Sequence, residues 1–169
     1  DLAYVLVAPD RLAVTHVVPY PTWEKYLSPI QDAFKAYQKI ARPKGFQRIG
    51  LRYRNKIDFP TSNIEIHDFF TFYPTTVEGV PEEYIDFMVR KVHPYSNGRD
   101  LLRIEVSALA PPTKEQLSVS IDLDYFLAQA DAISLRGWKG WLNTAHDRLE
   151  RGFESCITPA LRKKFQEVT

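Results

Sequence analysis

The sequence predicts an α+β fold in which a mainly antiparallel sheet carries two longer helices packed on one face. Several runs alternate apolar and polar residues with the period of two that a half-buried strand produces. Two of these runs flank Asn97-Gly98, a strong hairpin signal, so neighbouring strands are expected to run antiparallel. Apolar residues recur at helical spacing in 29–41 and 134–155, outside the main run of strands. Segregated helices and strands are typical of the α+β class.

Length and composition indicate one globular domain that spans residues 1–169. The chain begins at Asp1 without a methionine, so we expect it to lack part of its N-terminus. Its formal net charge of +1 provides no global field that would attract nucleic acid or membrane. No apolar run reaches the roughly twenty residues of a spanning helix. The single cysteine excludes an internal disulfide and fits a reducing compartment, which predicts a cytoplasmic protein.

The N-terminal part predicts a hairpin followed by a helix. Two β-rich runs, 3–8 and 12–18, are separated by a short connection that contains proline and aspartate. Ser28 is a good N-cap, Pro29 suits the first helical position, and Gln31 completes a capping box. We therefore expect the first long helix to begin at Pro29.

The longest alternating run is 46–59, and it is the strand on which the rest of the prediction depends. Its apolar side is formed by Ile49, Leu51, Tyr53, Ile57 and Phe59. Its other side is a row of cations formed by Arg48, Arg52, Arg54 and Lys56. Strands are usually about five or six residues long, so this length predicts a central strand, bent at Gly50.

The remainder of the chain predicts three more strands and a helical C-terminal part. Between the 46–59 strand and these strands, residues 60–81 read as a short helical turn and a surface loop. The strands are expected at 84–93, 101–110 and 117–126. Ser134 caps the second long helix, and Thr158-Pro159 begins a last short one.

Charge on the predicted sheet is the strongest functional signal. Asp122 and Asp124 share the polar face of the 117–126 strand, opposite its apolar side. One interpretation is a solvated face of cross-strand ion pairs, each contributing about 0.2–1 kcal/mol. The other is a cationic surface that binds phosphate or an acidic partner. The candidate binding residues are Arg48, Arg52, Arg54, Lys56, Asp122 and Asp124.

The sequence gives little support for catalysis, and we expect no cofactor. Two carboxylates are too few for an oxygen-rich metal site, so no metal is expected. His67-Asp68 and His146-Asp147 repeat the dipeptide of the HD phosphohydrolases, but that all-helical fold needs further helical histidines. The remaining two, His16 and His93, fall on predicted strands. Cys156 ends an apolar stripe and is expected to be a buried thiol rather than a nucleophile, whereas His146 is expected to make a hydrogen bond at the core margin.

Several motifs resemble a sporadically distributed family of uncharacterised bacterial proteins. They are Tyr20-Pro21-Thr22-Trp23, the strand motif RIGLRYxNxI at 48–57, Ile121-Asp122-Leu123-Asp124, and His146 followed by Phe153-Glu154-Ser155-Cys156-Ile157-Thr158. Arg54 stands where the family would have an apolar residue, which makes this strand unusually basic. The resemblance supplies no catalytic residues, because the family has no established activity. Its patchy occurrence implies an accessory or defence role.

These observations predict a non-catalytic binding or assembly module that acts through a macromolecular partner. The partner is expected to be another protein or a second copy of the chain, and not a membrane. The alternative is binding of nucleic acid or a phosphate ligand through the basic face of the 46–59 strand. Tyr53 and Tyr125 share faces with apolar residues, so we expect them to be buried and unable to stack on bases.

Overall fold

The computed structural model describes residues 3–17, 21–75, 77–81, 85–111, 113 and 115–165. It has the predicted α+β class, with antiparallel sheets and two long helices among shorter ones. Four positions used in the sequence analysis lie outside the described residues. They are Val18 at the end of the second predicted strand, Tyr20 of the family motif, Thr76 in the predicted 60–81 loop, and Tyr84 at the start of a predicted strand.

The chain divides into two compact units, Asp1–Gly45 and Phe46–Thr169. In the first, strands β1 (Ala3–Ala8) and β2 (Arg11–His16) form the expected hairpin, and helix α1 (Trp23–Ala41) packs on β2. Two tyrosines of α1 fasten it to the hairpin backbone. Tyr26 Oη donates to Val14 O at 2.9 Å, and Tyr37 Oη donates to Pro9 O at 3.0 Å. The expectation of a single domain stays a prediction.

Helix α1 begins at Trp23 rather than at Pro29, so the predicted start of this helix was wrong. Proline inside a helix removes one backbone hydrogen bond and crowds the preceding turn, at a cost of about 3 kcal/mol. The turns before Pro29 offset this cost through tertiary contacts. Leu27 is buried, and the Tyr26 hydroxyl is bonded to β2. The penalty of Pro29 is local and visible in the sequence, whereas these contacts join segments that are distant along the chain.

The second unit is built on a four-stranded antiparallel sheet. Its elements are β3 (Gly50–Phe59), α2 (Ile66–Phe69), β4 (Met88–Tyr95), a 3₁₀ turn (Ser96–Gly98), β5 (Asp100–Leu109), β6 (Leu117–Leu127), α3 (Trp138–Cys156) and α4 (Pro159–Arg162). The strand order is β3-β6-β5-β4. The turn between β4 and β5 uses left-handed backbone at Asn97 (φ 56°) and Gly98 (φ 81°), as the Asn-Gly signal predicts.

Strand β3 lies at an edge of this sheet, although its length predicted a central position. The two inner strands are β6 and β5, and β6 pairs with β3 on one side and β5 on the other. The alternation of β3 is confirmed, since Leu51, Ile57 and Phe59 are buried and the basic residues are exposed. Alternation reports which face of a strand is buried, but it does not report how many neighbours the strand has.

Helix α3 packs on one face of the four-stranded sheet, and the core lies between them. Val119, Ile121, Leu123 and Tyr125 of β6 are fully buried there. Gly152 allows the close approach, because a Cβ at this position would lie 3.3 Å from Leu123 Cδ2. The opposite face of the sheet carries the charged residues.

A buried carboxylate, Asp100, ties the first turn of α3 to the sheet. It is inaccessible to solvent and accepts hydrogen bonds from Trp141 Nε1 at 2.9 Å and Tyr125 Oη at 3.1 Å. Arg99 adds an ion pair at 2.6 Å. Burial acts to raise the pKa of Asp100, but the bonds from Arg99, Trp141 and Tyr125 outweigh it, and this pKa lies below its ordinary value. Burial also raises the pKa of Tyr125 to about 12, so its hydroxyl remains a donor.

We expect Asp100→Ala to destabilise the protein by about 3 kcal/mol, because it leaves two buried donors without an acceptor. The measurement is urea unfolding followed by tryptophan fluorescence. The pKa of Asp100 is lower in the folded state than in the unfolded state. The stability that its carboxylate contributes is therefore fully present above the unfolded-state pKa. This stability is lost as the pH falls through the folded-state pKa, below about pH 4. The difference in free energy of unfolding between wild type and Asp100→Ala should therefore become smaller in acid. A difference that is independent of pH would contradict the ionised, hydrogen-bonded state of Asp100.

Candidate functional site

The face of the four-stranded sheet opposite α3 brings together charged residues from all four strands. We call it the arginine face; its charged members are Arg48, Arg52, Arg54, Lys56, Asp58, Arg90, Arg103, Glu105, Asp122 and Asp124. The register places two carboxylates in the middle. Asp124 lies between Arg52 of β3 and Arg103 of β5, and Asp122 lies between Arg54 and Glu105. All six candidate binding residues predicted from the sequence belong to this surface.

The two aspartates of β6 are the centres of an ion-pair network. Arg52 binds Asp122 through two bonds, Nε to Oδ1 at 2.8 Å and Nη2 to Oδ2. Arg54 Nε lies 3.5 Å from the same carboxylate. Asp124 accepts two bonds from Arg48 Nη2 at 2.9 and 3.2 Å, and Arg103 Nη2 lies 3.4 Å from it. Each buried carboxylate is therefore shared by two arginines.

Two further ion pairs lie beside this network. Lys56 Nζ is 3.0 Å from Asp58, which also accepts a hydrogen bond from Ser118 Oγ at 2.5 Å. The bond from Ser118, followed by that from Lys56, lowers the pKa of Asp58. On the other side of the face, Arg90 Nε donates to Glu105 at 2.7 Å. These pairs extend the charged surface across the sheet.

Exposure differs sharply between the two signs of charge. The side chains of Arg48, Arg52 and Arg54 are 56%, 48% and 64% exposed, whereas those of Asp122 and Asp124 are 8% and 9% exposed. The ion pairs of the first interpretation are present, but Asp122 and Asp124 are buried and not solvated, because β6 has neighbours on both sides and arginines cover it. Solvent therefore meets the guanidinium groups first. The hydrogen bond to Asp122 raises the pKa of Arg52, which keeps this cation charged.

A second polar cluster joins α3 to β3 on the other side of the sheet. Tyr53 Oη lies 2.9 Å from His146 Nδ1, and His146 Nε2 lies 3.4 Å from Glu150. This is the hydrogen bond expected for His146 at the margin of the core. The sequence could not identify its partner, because Tyr53 is far away along the chain. A phenol, an imidazole and a carboxylate in this order can pass a proton, but the bond also fixes the helix on the sheet, and we assign it that role.

Two other candidate groups are accounted for structurally. Cys156 is buried, and burial raises the pKa of its thiol to about 11, so it is protonated and unreactive at neutral pH. Asp122 and Asp124, which were considered as metal ligands, are occupied by arginines. Within the described ranges, no three side chains of His, Cys, Asp or Glu gather where they could hold a metal ion.

Comparison with known proteins returned no match to a protein-family model, a curated protein or a solved structure. In the part of the chain that the structure describes, no helix has both the length and the apolar character needed to cross a membrane.

We expect the ion pairs of this face to differ in strength according to the burial of their carboxylates. Arg52→Met leaves buried Asp122 with only the longer contact to Arg54, and should cost about 1–3 kcal/mol. Lys56→Met removes a pair in which both partners are half-exposed, and should cost less than about 1 kcal/mol. Urea unfolding of the two variants measures the difference. Equal losses would show that burial of Asp122 does not control the network.

Proposed function

We propose that this chain is a non-catalytic binding module that docks an acidic protein surface on its arginine face. The observation that carries the proposal is the unequal exposure of the two charges. Six cations and four carboxylates share the face, and the two central carboxylates lie beneath the guanidinium groups. A partner that approaches this face meets arginine and lysine before it meets aspartate, so carboxylates on that partner are the complementary chemistry.

The ion pairs prepare the arginines for such a partner. A guanidinium has five N–H groups, and Arg52 donates two of them, from Nε and Nη2, to Asp122. Donors therefore remain for a ligand. Because Arg48 and Arg52 are already held by buried carboxylates, less side-chain entropy is lost when they bind. Bidentate pairing with carboxylates is the geometry that guanidinium groups favour.

The border of the arginine face favours a protein over a nucleic acid. Met88 and Val92 of β4 alternate with Arg90 on this face and are 59% and 51% exposed. Protein interfaces combine apolar residues, methionine and arginine in this way. Exposed apolar side chains next to guanidinium groups give a protein partner both a charged and an apolar contact.

Nucleic acid or a phosphate ligand remains the second candidate, and two observations weaken it. Tyr53 and Tyr125 lie on the opposite side of the sheet, bonded to His146 and Asp100. Phe126 is on the arginine face, but Arg48 covers its ring at 4.8 Å from the centroid. Base stacking therefore has no platform among these residues, and charge alone gives weak, salt-sensitive binding.

The setting in which the module acts is also a proposal. The sequence resemblance to a sporadically distributed bacterial family favours an accessory or defence role. A single, buried thiol suits a reducing compartment, and we propose a cytoplasmic location on that ground.

The test uses poly-L-glutamate as the acidic polypeptide and an oligothymidylate of equal charge as the nucleic acid. Arg54→Glu reverses the most exposed charge of β3 and should weaken binding to poly-L-glutamate about ten-fold, since a lost and reversed contact is worth about 1.4 kcal/mol. Arg151→Glu makes the same charge change on α3, on the other side of the sheet, and should change binding less than two-fold, roughly. Fluorescence anisotropy at low salt measures both.

Three results would contradict the proposal. The first is no detectable binding of poly-L-glutamate at low salt. The second is an equal loss in Arg54→Glu and Arg151→Glu, which would mean that only net charge matters. The third is tighter binding of the oligothymidylate with loss in Arg54→Glu alone, which would favour the nucleic-acid alternative.

A further inference from the structure

Strand β1 is exposed along its whole length and is almost entirely apolar. All six of its residues are exposed, and the four large ones, Tyr4, Val5, Leu6 and Val7, are 52%, 50%, 67% and 68% exposed. Its sequence, AYVLVA, contains no charged residue. Among the described residues its sheet has two strands, so β1 pairs there with β2 on one side alone. A row of backbone N–H and C=O groups is therefore left on its other side.

The other described strand edges are protected against pairing with another strand. Strand β3 carries Arg52, Arg54 and Lys56, and β4 carries Arg90, Lys91 and Pro94. Charged side chains and proline at an edge discourage the addition of a further strand. Strand β2 carries Arg11 at its start. Of these four edges, β1 alone has neither charge nor proline.

The hairpin determines which residues of β1 offer their backbone groups outward. Ala8 and Arg11 close a two-residue turn, and such a closing pair is hydrogen-bonded. Hydrogen-bonded residues alternate along an antiparallel strand, so Tyr4 and Leu6 also bond to β2. Ala3, Val5 and Val7 then direct their N–H and C=O groups to the free side.

We propose that β1 pairs antiparallel with β1 of a second copy of this chain, about a two-fold axis at Val5. This register places Val5 opposite Val5 of the second copy, Ala3 opposite Val7, and Tyr4 opposite Leu6. Each pair is apolar, and the aromatic–aliphatic pair is of a kind that stabilises sheets. Because β1 carries no charge, two identical copies of it can pair without like-charge repulsion. Two copies of an arginine-bearing edge would repel each other. Two hairpins then form one four-stranded sheet.

The proposed assembly is a dimer that does not grow further, and its affinity is low. Its outer edges are the two β2 strands, which carry Arg11, so no further copy is favoured at either edge. Pairing of two six-residue strands buries less than the roughly 1,200 Å² of a standard stable interface. We therefore expect a dissociation constant of about 10–100 µM rather than a permanent dimer.

The experiment is sedimentation velocity of the 169-residue chain from about 5 to 500 µM, a range that brackets the expected dissociation constant. Wild type should pass from monomer to dimer. Val5→Lys places two ammonium groups opposite each other and should weaken dimerisation at least about ten-fold, as should Val5→Glu. Mixing the two variants should restore a heterodimer, because unlike charges then face each other. Val77→Lys, at a loop valine that is 66% exposed, is the matched control and should dimerise like wild type.

Four outcomes would overturn the proposal. They are a wild-type chain that stays monomeric at every concentration, species that grow beyond the dimer, a dimer that survives Val5→Lys, and a Val5→Lys and Val5→Glu mixture that remains monomeric although both variants keep the wild-type circular dichroism spectrum. None of these outcomes depends on the arginine face, so the two proposals can fail separately.

Discussion

Asp122 and Asp124 occupy the centre of the sheet, on a strand with neighbours on both sides, where a carboxylate is stable only if cations reach it. Arg48, which precedes β3, and the arginines of β3 and β5 supply those cations from either side. Their long side chains cross above β6, pair with the carboxylates and leave their outer atoms in solvent. The arginine face therefore has cations at its surface and buried carboxylates beneath them, because the buried aspartates must be paired with cations.

The same requirement is met differently elsewhere in the sheet. Asp100 is also buried. It accepts hydrogen bonds from the cation Arg99 and from two neutral donors, Trp141 and Tyr125, and it fastens α3. Asp100 is inaccessible to solvent, so its carboxylate cannot meet a ligand. On the arginine face the partners are half-exposed cations, so the groups that stabilise the buried aspartates can also meet a ligand. Position relative to α3 therefore separates a structural carboxylate from the candidate site.

Local sequence patterns predicted which face of each strand is buried. The pairing of the strands and the burial of the aspartates depend on contacts between segments that are distant along the chain. Alternation in 46–59 correctly separated Leu51 and Ile57 from the basic residues, and the Asn97-Gly98 turn lies where it was expected. The pairing of β3 with β6 joins residues about seventy positions apart, and no local signal contains it. The length of β3 therefore misled about its position in the sheet, one interpretation treated the face of the aspartates as solvated, and the Tyr53–His146 bond was not identified. Asp100 was not identified because an aspartate after a turn signal is normally exposed.

Binding of an acidic polypeptide by the arginine face can be measured directly by an NMR titration of the chain with poly-L-glutamate that follows the arginine Nε–Hε resonances. We expect a slowly exchanging Nε–Hε signal for Arg52, because its Nε donates to buried Asp122 at 2.8 Å. The largest shifts on titration should fall on Arg48, Arg52 and Arg54, whereas Arg151 of α3 should change little. Shifts that are spread evenly over the arginines of both sides of the sheet, or that are concentrated on α3, would show that the arginine face is not the binding surface.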